Sequence, residues 1–317
     1  MKRAFVFPGQ GSQTPGMGRE LAEAFPAARL LFEEVDDALS QHLSRLMFEG
    51  SESELTLTEN AQPALLAASL AVIRVLEAEG GFDLGRQVDY VAGHSLGEYS
   101  ALAAAGALSV ADAARLLKRR GQAMQKAVPV GDGAMAALLG IDLEAAREVA
   151  AEAARAEGAG AACAIANDNG PGQIVVSGHR TAVERAVALA GERGARRSIM
   201  LPVSAPFHSP LMAPAADAVA EALEAVALHR PVVPLVADVT AAPTRDPDEI
   251  RRLLVEQVTA MVRWREIVEF LKSAEAEEIV EIGAGRVLSG LVRRIDRELA
   301  VSWAGTPAEV EALLKRL

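Results

Sequence analysis

Short apolar runs alternate with longer stretches of helical periodicity along most of the chain. Ala4 to Phe7 is an apolar run of strand length, followed by the glycine-rich turn PGQGSQ. An Ala- and Leu-rich helical region runs from about Glu20 to Leu46. A second covers Gln62 to Glu79, with Pro63 suited to a first helical turn, where its missing N–H costs nothing. Val88 to Ala92 reads as a strand, followed by GHSLG and a helix from Glu98 to Ala105. Gly106 is placed to stop that helix, and another follows from Ser109 to Val128.

The pattern changes near GDG at 131–133. Ala134 to Leu139 is strand-like, and Asp142 is placed to cap a helix reaching about Ala156. Ala162 to Ala166 and Gln173 to Ser177 are strand-like and separated by the turn-rich NDNGPG. Thr181 to Arg193 is helical and Arg197 to Leu201 strand-like. That order is β-α-β-β-α-β, the signature of a ferredoxin-like subdomain. Beyond it come a helix from Pro214 to Ala227, a strand at Val233 to Ala237, helices around 247–273 and a last strand, Glu278 to Ile282. Strands alternating with helices imply a mostly parallel sheet covered on both faces. The expected architecture is α/β. A large catalytic domain resembling the α/β hydrolases would be formed by 1–130 and 201–317, with the ferredoxin-like subdomain inserted at 131–200.

Composition narrows the function. Half of the 317 residues are hydrophobic and 24% are charged, a globular mixture. Only 4% are aromatic and the net charge is -11, which argues against nucleic acid. The single cysteine, Cys163, excludes an intramolecular disulfide and suits a reducing cytoplasm. It lies in the apolar run ACAIA and reads as a small buried hydrophobe. The start, MKRAFVFPGQG, does not read as a signal peptide, and no run approaches the roughly 20 consecutive apolar residues of a membrane span. The five histidines are scattered, so no metal site is expected.

The strongest local signal is Gly93-His94-Ser95-Leu96-Gly97, a G-x-S-x-G between strand and helix. A sharp turn there would force Ser95 into a strained backbone conformation, with glycines giving the chains room to cross. It would lift the hydroxyl to the sheet edge and aim the Leu96 N–H at a developing oxyanion. A serine nucleophile needs a base. His208, in the proline-punctuated loop SAPFHSPLM, is the best candidate; His42, His179 and His229 suit solvated positions and His94 a supporting hydrogen bond. The glycine-rich turn at 8–11 could aim further N–H groups outward. Arg120 lies four residues from Leu116 and can point inward along an apolar helix face, where it would require an anionic partner such as a substrate carboxylate.

In this order the pieces resemble the malonyl-CoA:acyl carrier protein transacylases, a likeness that extends to the acyltransferase domains of polyketide synthases. FVFPGQGSQ, GHSLGEYSAL, RRGQAMQ, GAMAALLG, the Asn167-to-Gln173 segment, PVSAPFHSPLM and EIGAGRVLSGL carry the resemblance over essentially the whole chain. It implies Ser95 as nucleophile, His208 as base, Gln10 and Leu96 as backbone oxyanion donors, and Arg120 as the grip on a malonyl carboxylate. It further implies a catalytic dyad whose imidazole is oriented by a backbone carbonyl at Gln257. Phe207 before the histidine is similar to malonyl-selective members. No cofactor is implied beyond the CoA of the substrate. The implied partners are malonyl-CoA and an acyl carrier protein, and the implied state is a cytoplasmic monomer.

Carrier proteins of this kind are acidic, and so is this chain, so a local basic dock is expected. Arg196 and Arg197 are the first candidates, with Lys118 and Arg119 next. Three other readings stay open: a serine thioesterase or hydrolase, a freestanding polyketide acyltransferase, and a carrier-binding protein without activity.

Overall fold

The computed structural model describes residues 2–203 and 205–317, so Ser204 of the PVSAPFHSPLM segment lies outside the described residues. The strands are β1 Arg3–Phe7, β2 Tyr90–Gly93, β3 Gly133–Leu139, β4 Cys163–Asp168, β5 Gln173–His179, β6 Arg197–Met200, β7 Leu235–Val236, β8 Pro243–Thr244, β9 Glu278–Ile282 and β10 Ala300–Ala304. They form two sheets. One has six strands in the order β10-β9-β1-β2-β7-β8, parallel except for the β8 edge. The other has four antiparallel strands in the order β4-β5-β3-β6.

Strand alternation divides the core of the six-stranded sheet. Phe5, Phe7, Val91, Val280 and Ile282 face one side and join the larger apolar cluster. Ala4, Val6, Ala92, Val236 and Ile279 face the other, where they pack with Trp264, Ile267 and Leu288. Burial on both faces explains why these strands are continuously apolar. Because β1, β2 and β9 run parallel, the turns that leave them gather at one edge of the sheet.

The four-stranded sheet packs Ala134, Ala136, Leu138, Ile174 and Val176 against the helices Leu143–Ala156 and Arg180–Glu192. Met135 and Val175, on its opposite face, belong to the main core. A parallel bridge pairs Asn167 of β4 with Val262 and ties the four-stranded sheet to the segment before the helix Trp264–Ser273.

Several expectations need correction. The helical region from Glu20 to Leu46 is three helices, Arg19–Ala24, Pro26–Leu39 and Leu43–Glu49. Pro26 starts the second, and Ser40, at φ 49°, ends it in the left-handed region. Pro63 is not in a first turn: the helix is Thr58–Gly80, with Pro63 inside it. Gly121 lets the neighbouring helix Val110–Lys126 approach the backbone of Thr58 and Glu59, and this packing supports the added turn. The strand expected from Val233 to Ala237 shrinks to two residues. Glu278–Ile282 is not the last strand; β10 follows it at the sheet edge. Finally, Thr58–Gly80 is long and apolar enough to cross a membrane, but 83% of its apolar window is buried in the protein, where it serves as a core helix.

Candidate active site

The elbow at Ser95 follows from the close packing of three chain segments. A Cβ at Gly93 would overlap the Gly97 carbonyl, and a Cβ at Gly97 would overlap the Phe7 carbonyl. Gly9, in the turn after β1, also packs against the His94 carbonyl, which a Cβ there would meet at 2.6 Å. Ser95 takes φ 55°, a left-handed conformation costly for a residue with a Cβ. The helix Gly97–Ala104 starts directly behind it.

Ser95 Oγ lies 2.8 Å from His208 Nε2. His208 Nδ1 lies 2.9 Å from the Gln257 carbonyl oxygen. A carbonyl can only accept, so Nδ1 carries the ring proton and Nε2 is free to accept one from Ser95. Burial, and secondarily the charge of Arg120, holds the His208 pKa down at about 3, so the imidazole is neutral at ordinary pH. His208 is also in the left-handed region, at φ 54°.

Arg120 is almost completely buried. It donates to Ser95 Oγ at 3.0 Å, Gln257 Oε1 at 2.9 Å and Gln62 Oε1 at 2.8 Å. All three acceptors are neutral, and no salt bridge pairs it with a carboxylate among the described residues. Burial lowers its pKa, but a guanidinium stays charged in proteins. The site thus holds a fixed cation beside the serine oxygen.

The structure therefore brings Ser95, His208, Arg120 and Gln257 into one cluster. Leu96 follows the elbow and is buried, whereas Gln10 is half-buried in the turn after β1. Among the described residues, neither backbone N–H makes a hydrogen bond within the protein. Phe207 is buried beside the histidine.

Sequence reasoning missed four contributors. Asp238 accepts the Ser95 N–H at 2.9 Å, and Glu98 accepts the Asp238 N–H at 3.0 Å. Gln62 holds the far side of Arg120. Asn169, after β4, lies 2.8 Å from His94 Nε2 and ties the four-stranded sheet to the elbow. The only available signal for Glu98 was a charge within the otherwise small and apolar GEYSALAA. Glu281 accepts the N–H groups of Leu288 and Ser289, capping the helix after GAG. Burial pushes the Cys163 thiol up to about 12, which suits the inert role expected of it.

Of the expected basic residues, Lys118 is paired with Glu59 at 3.1 Å, and Arg119 lies 3.6 Å from Glu221. Arg196 and Arg197 are exposed at the start of β6.

A serine on a strand-to-helix elbow, a neutral histidine held by a carbonyl and a buried arginine thus meet at one serine hydroxyl. The acyl transferase domain family matches residues 4–302, and the chain belongs to that family. It is 46% identical over 316 residues to a malonyl CoA-acyl carrier protein transacylase of Bacillus subtilis, covering 100% of this chain and 97% of the relative. Among solved structures, an acyl-carrier-protein-S-malonyltransferase from Bartonella henselae superposes with TM-score 0.96 at 55% identity, covering 100% of this chain and 99% of the other. A malonyl-transacylase solved in complex with a type II PKS acyl-carrier protein superposes with TM-score 0.95 at 42% identity, with both chains fully covered.

Proposed function

We propose that this protein transfers a malonyl group from malonyl-CoA to the phosphopantetheine thiol of an acyl carrier protein, in fatty acid biosynthesis, through an ester on Ser95. The observation that carries this reading is the convergence of Arg120 and His208 on one serine oxygen. Full-length similarity to malonyl transacylases supports it.

Ser95 Oγ attacks the thioester carbonyl and passes its proton to His208 Nε2. The Leu96 and Gln10 N–H groups receive the oxyanion. The tetrahedral intermediate collapses, the C–S bond breaks, and the thiolate of CoA leaves with the proton from His208. The carrier thiol then gives its proton to His208 and attacks the ester, and Ser95 recovers its proton as the acyl group departs. Arg120 binds the free carboxylate of the malonyl group in a two-bond fork. The Gln257 carbonyl supplies the orientation that a carboxylate provides in a triad. This absence of a triad acid at Nδ1 weighs against the hydrolase reading.

Within this reading, residues 131–200 form the inserted ferredoxin-like subdomain, and 1–130 with 201–317 the catalytic α/β-hydrolase-like domain. The strand order of the small sheet supports that division. The protein works as a cytoplasmic monomer. Arg196 and Arg197 provide the basic dock for the carrier, since Lys118 is already engaged by Glu59. A polyketide carrier is the second reading, favoured by the similarity to the transacylase solved with such a carrier.

The test is intact-protein mass spectrometry after incubation with malonyl-CoA, followed by peptide mapping. The expected result is one malonyl adduct on the Ser95 peptide, absent from Ser95→Ala and discharged by holo carrier protein. Steady CoA release without an adduct would overturn transfer in favour of hydrolysis. Discharge by carriers of the fatty acid or the polyketide type separates the two pathways.

A further inference from the structure

Behind the reactive groups lies a second buried cluster that takes no part in the chemistry above. Glu98 and Asp238 are both fully buried, and both touch the side-chain nitrogen of Gln257. Neither has a salt-bridge partner among the described residues. The orientation of the Gln257 amide is fixed by Arg120, which can only donate and therefore faces its oxygen. Nε2 is then surrounded by three oxygens: Asp238 Oδ2 and the Ser95 carbonyl, each at 2.9 Å, and Glu98 Oε2. An amide nitrogen has two hydrogens, so the cluster is one donor short. Two carboxylates at such proximity, both out of water, also cannot both stay ionised without large cost.

We propose that Glu98 and Asp238 share one proton and form a positioning pair that holds the strained Ser95 backbone and the Gln257 amide in their working geometry. The proton between the carboxyls removes the donor deficit, leaving the two amide hydrogens for the Ser95 carbonyl and Asp238. Burial, joined for Asp238 by the charge of Glu98, raises both carboxyls, Glu98 to about 7. The other titratable groups near this pair are Tyr99, pushed up to about 12 by burial, and the neutral His208. The mechanical consequence lies at the elbow. Ser95 is gripped at its N–H by Asp238 and at its carbonyl by Gln257, on either side of its left-handed φ. Glu98 in turn fixes Asp238 through the Asp238 N–H. The pair touches no substrate, so it acts through Ser95 and the adjoining Leu96 N–H.

The inference about positioning rests on the acyl-transfer reading; the inference about the proton does not. Infrared difference spectra, wild type minus Glu98→Gln and wild type minus Asp238→Asn, read the proton directly at neutral pH. A shared proton gives the wild type a carboxylic-acid carbonyl band that both variants lack, because the amide put in place of either carboxyl supplies the missing donor and removes the competing charge. No such band, or one that survives either replacement, overturns the sharing. The rate of Ser95 ester formation tests positioning. Asp238→Ala should lower it by about a hundredfold, with KM for malonyl-CoA unchanged, the scale expected when a reacting group is displaced by about an ångström. Asp238→Asn, which keeps an acceptor for the Ser95 N–H, should restore the rate to within about tenfold of the wild type. A wild-type rate in Asp238→Ala overturns positioning. Should that variant fail to fold, Asp238→Asn and the infrared band still decide. A wild-type ester without the band sinks the pair and leaves the proposed function standing, whereas the band without any ester does the reverse.

Discussion

At the carboxyl edge of the six-stranded sheet, Ser95, Glu98, Arg120, His208, Asp238 and Gln257 form one connected network of polar groups, all but the serine fully or nearly fully buried. Over the four-stranded sheet, the helices Leu143–Ala156 and Arg180–Glu192 bury Ala146, Val149, Ala150 and Val183 and keep their charges in solvent. There Arg193 reaches Glu148 at 2.7 Å and also meets Glu152, as ordinary surface pairs. The first region places desolvated charge and left-handed backbone where chemistry needs them, at a cost to stability. The second obeys local rules of propensity and patterning, and its described residues hold no non-glycine residue in the left-handed region. What separates the two is where the buried polar groups lie, since both regions use the same kinds of helix and strand.

Substitutions should therefore divide by region. In the polar network the largest effect is expected from His208→Ala, which should slow Ser95 ester formation by about 10²–10⁴-fold, read by quenched-flow mass spectrometry. Arg120→Ala should abolish the preference for malonyl-CoA over acetyl-CoA. An acetyl group leaves the wild-type arginine buried and unpaired, at a cost of roughly 3–5 kcal/mol. That corresponds to discrimination on the order of a hundred- to several-thousand-fold, and unchanged selectivity in competition assays would refute the role. In the small sheet, Leu138→Ala should lower stability by about 2–5 kcal/mol in a urea titration while leaving the rate per folded molecule unchanged. Arg193→Ala should cost no more than about 1 kcal/mol in the same titration. A Leu138→Ala enzyme that stays stable but loses turnover would erase the distinction between the regions.

The pH dependence sharpens it. With the His208 pKa near 3, the base stays unprotonated well below the ordinary value of 6.5. The ester-forming rate should thus stay level as pH falls through 6.5, instead of halving there. For stability the sign is opposite to that of a histidine with an ion-pair partner. The unfolded chain takes up a proton at about 6.5 while the folded one refuses it, so this contribution is complete above 6.5 and is lost as pH falls toward 3. Across that window the melting temperature of the wild type should fall relative to that of His208→Gln, a comparison that cancels the opposite contribution of the raised Glu98 and Asp238 carboxyls, and a constant difference would contradict a buried neutral imidazole.

Much of this was legible in the sequence where the physics is local. The elbow could be read because Gly93 and Gly97 bracket Ser95 between an apolar strand and a helix, and the inward turn of Arg120 because Leu116 shares its face. The carbonyl at Gln257 came only from resemblance, since a backbone acceptor leaves no trace in residue type. Asp238 left no signal: it follows a two-residue strand and meets Ser95 across 143 positions, through a sheet register that no local pattern encodes. β10 was hidden by its place at the sheet edge, where half-burial and the polar Ser302 and exposed Ala300 blur the apolar run. Pro63 misled because its ring is tolerated inside a helix once close packing at Gly121 holds the preceding turn.

The bonds from Gln62 and Gln257 to Arg120 have a consequence for the energetics of encounter. A free arginine side chain loses about 2 kcal/mol of rotamer entropy when it is immobilised. Here that loss is incurred during folding, and the guanidinium meets its ligand already aimed and already stripped of bulk water. A dicarboxylic acyl group therefore docks against a rigid template, and its binding energy can be directed to aligning the thioester with the serine oxygen.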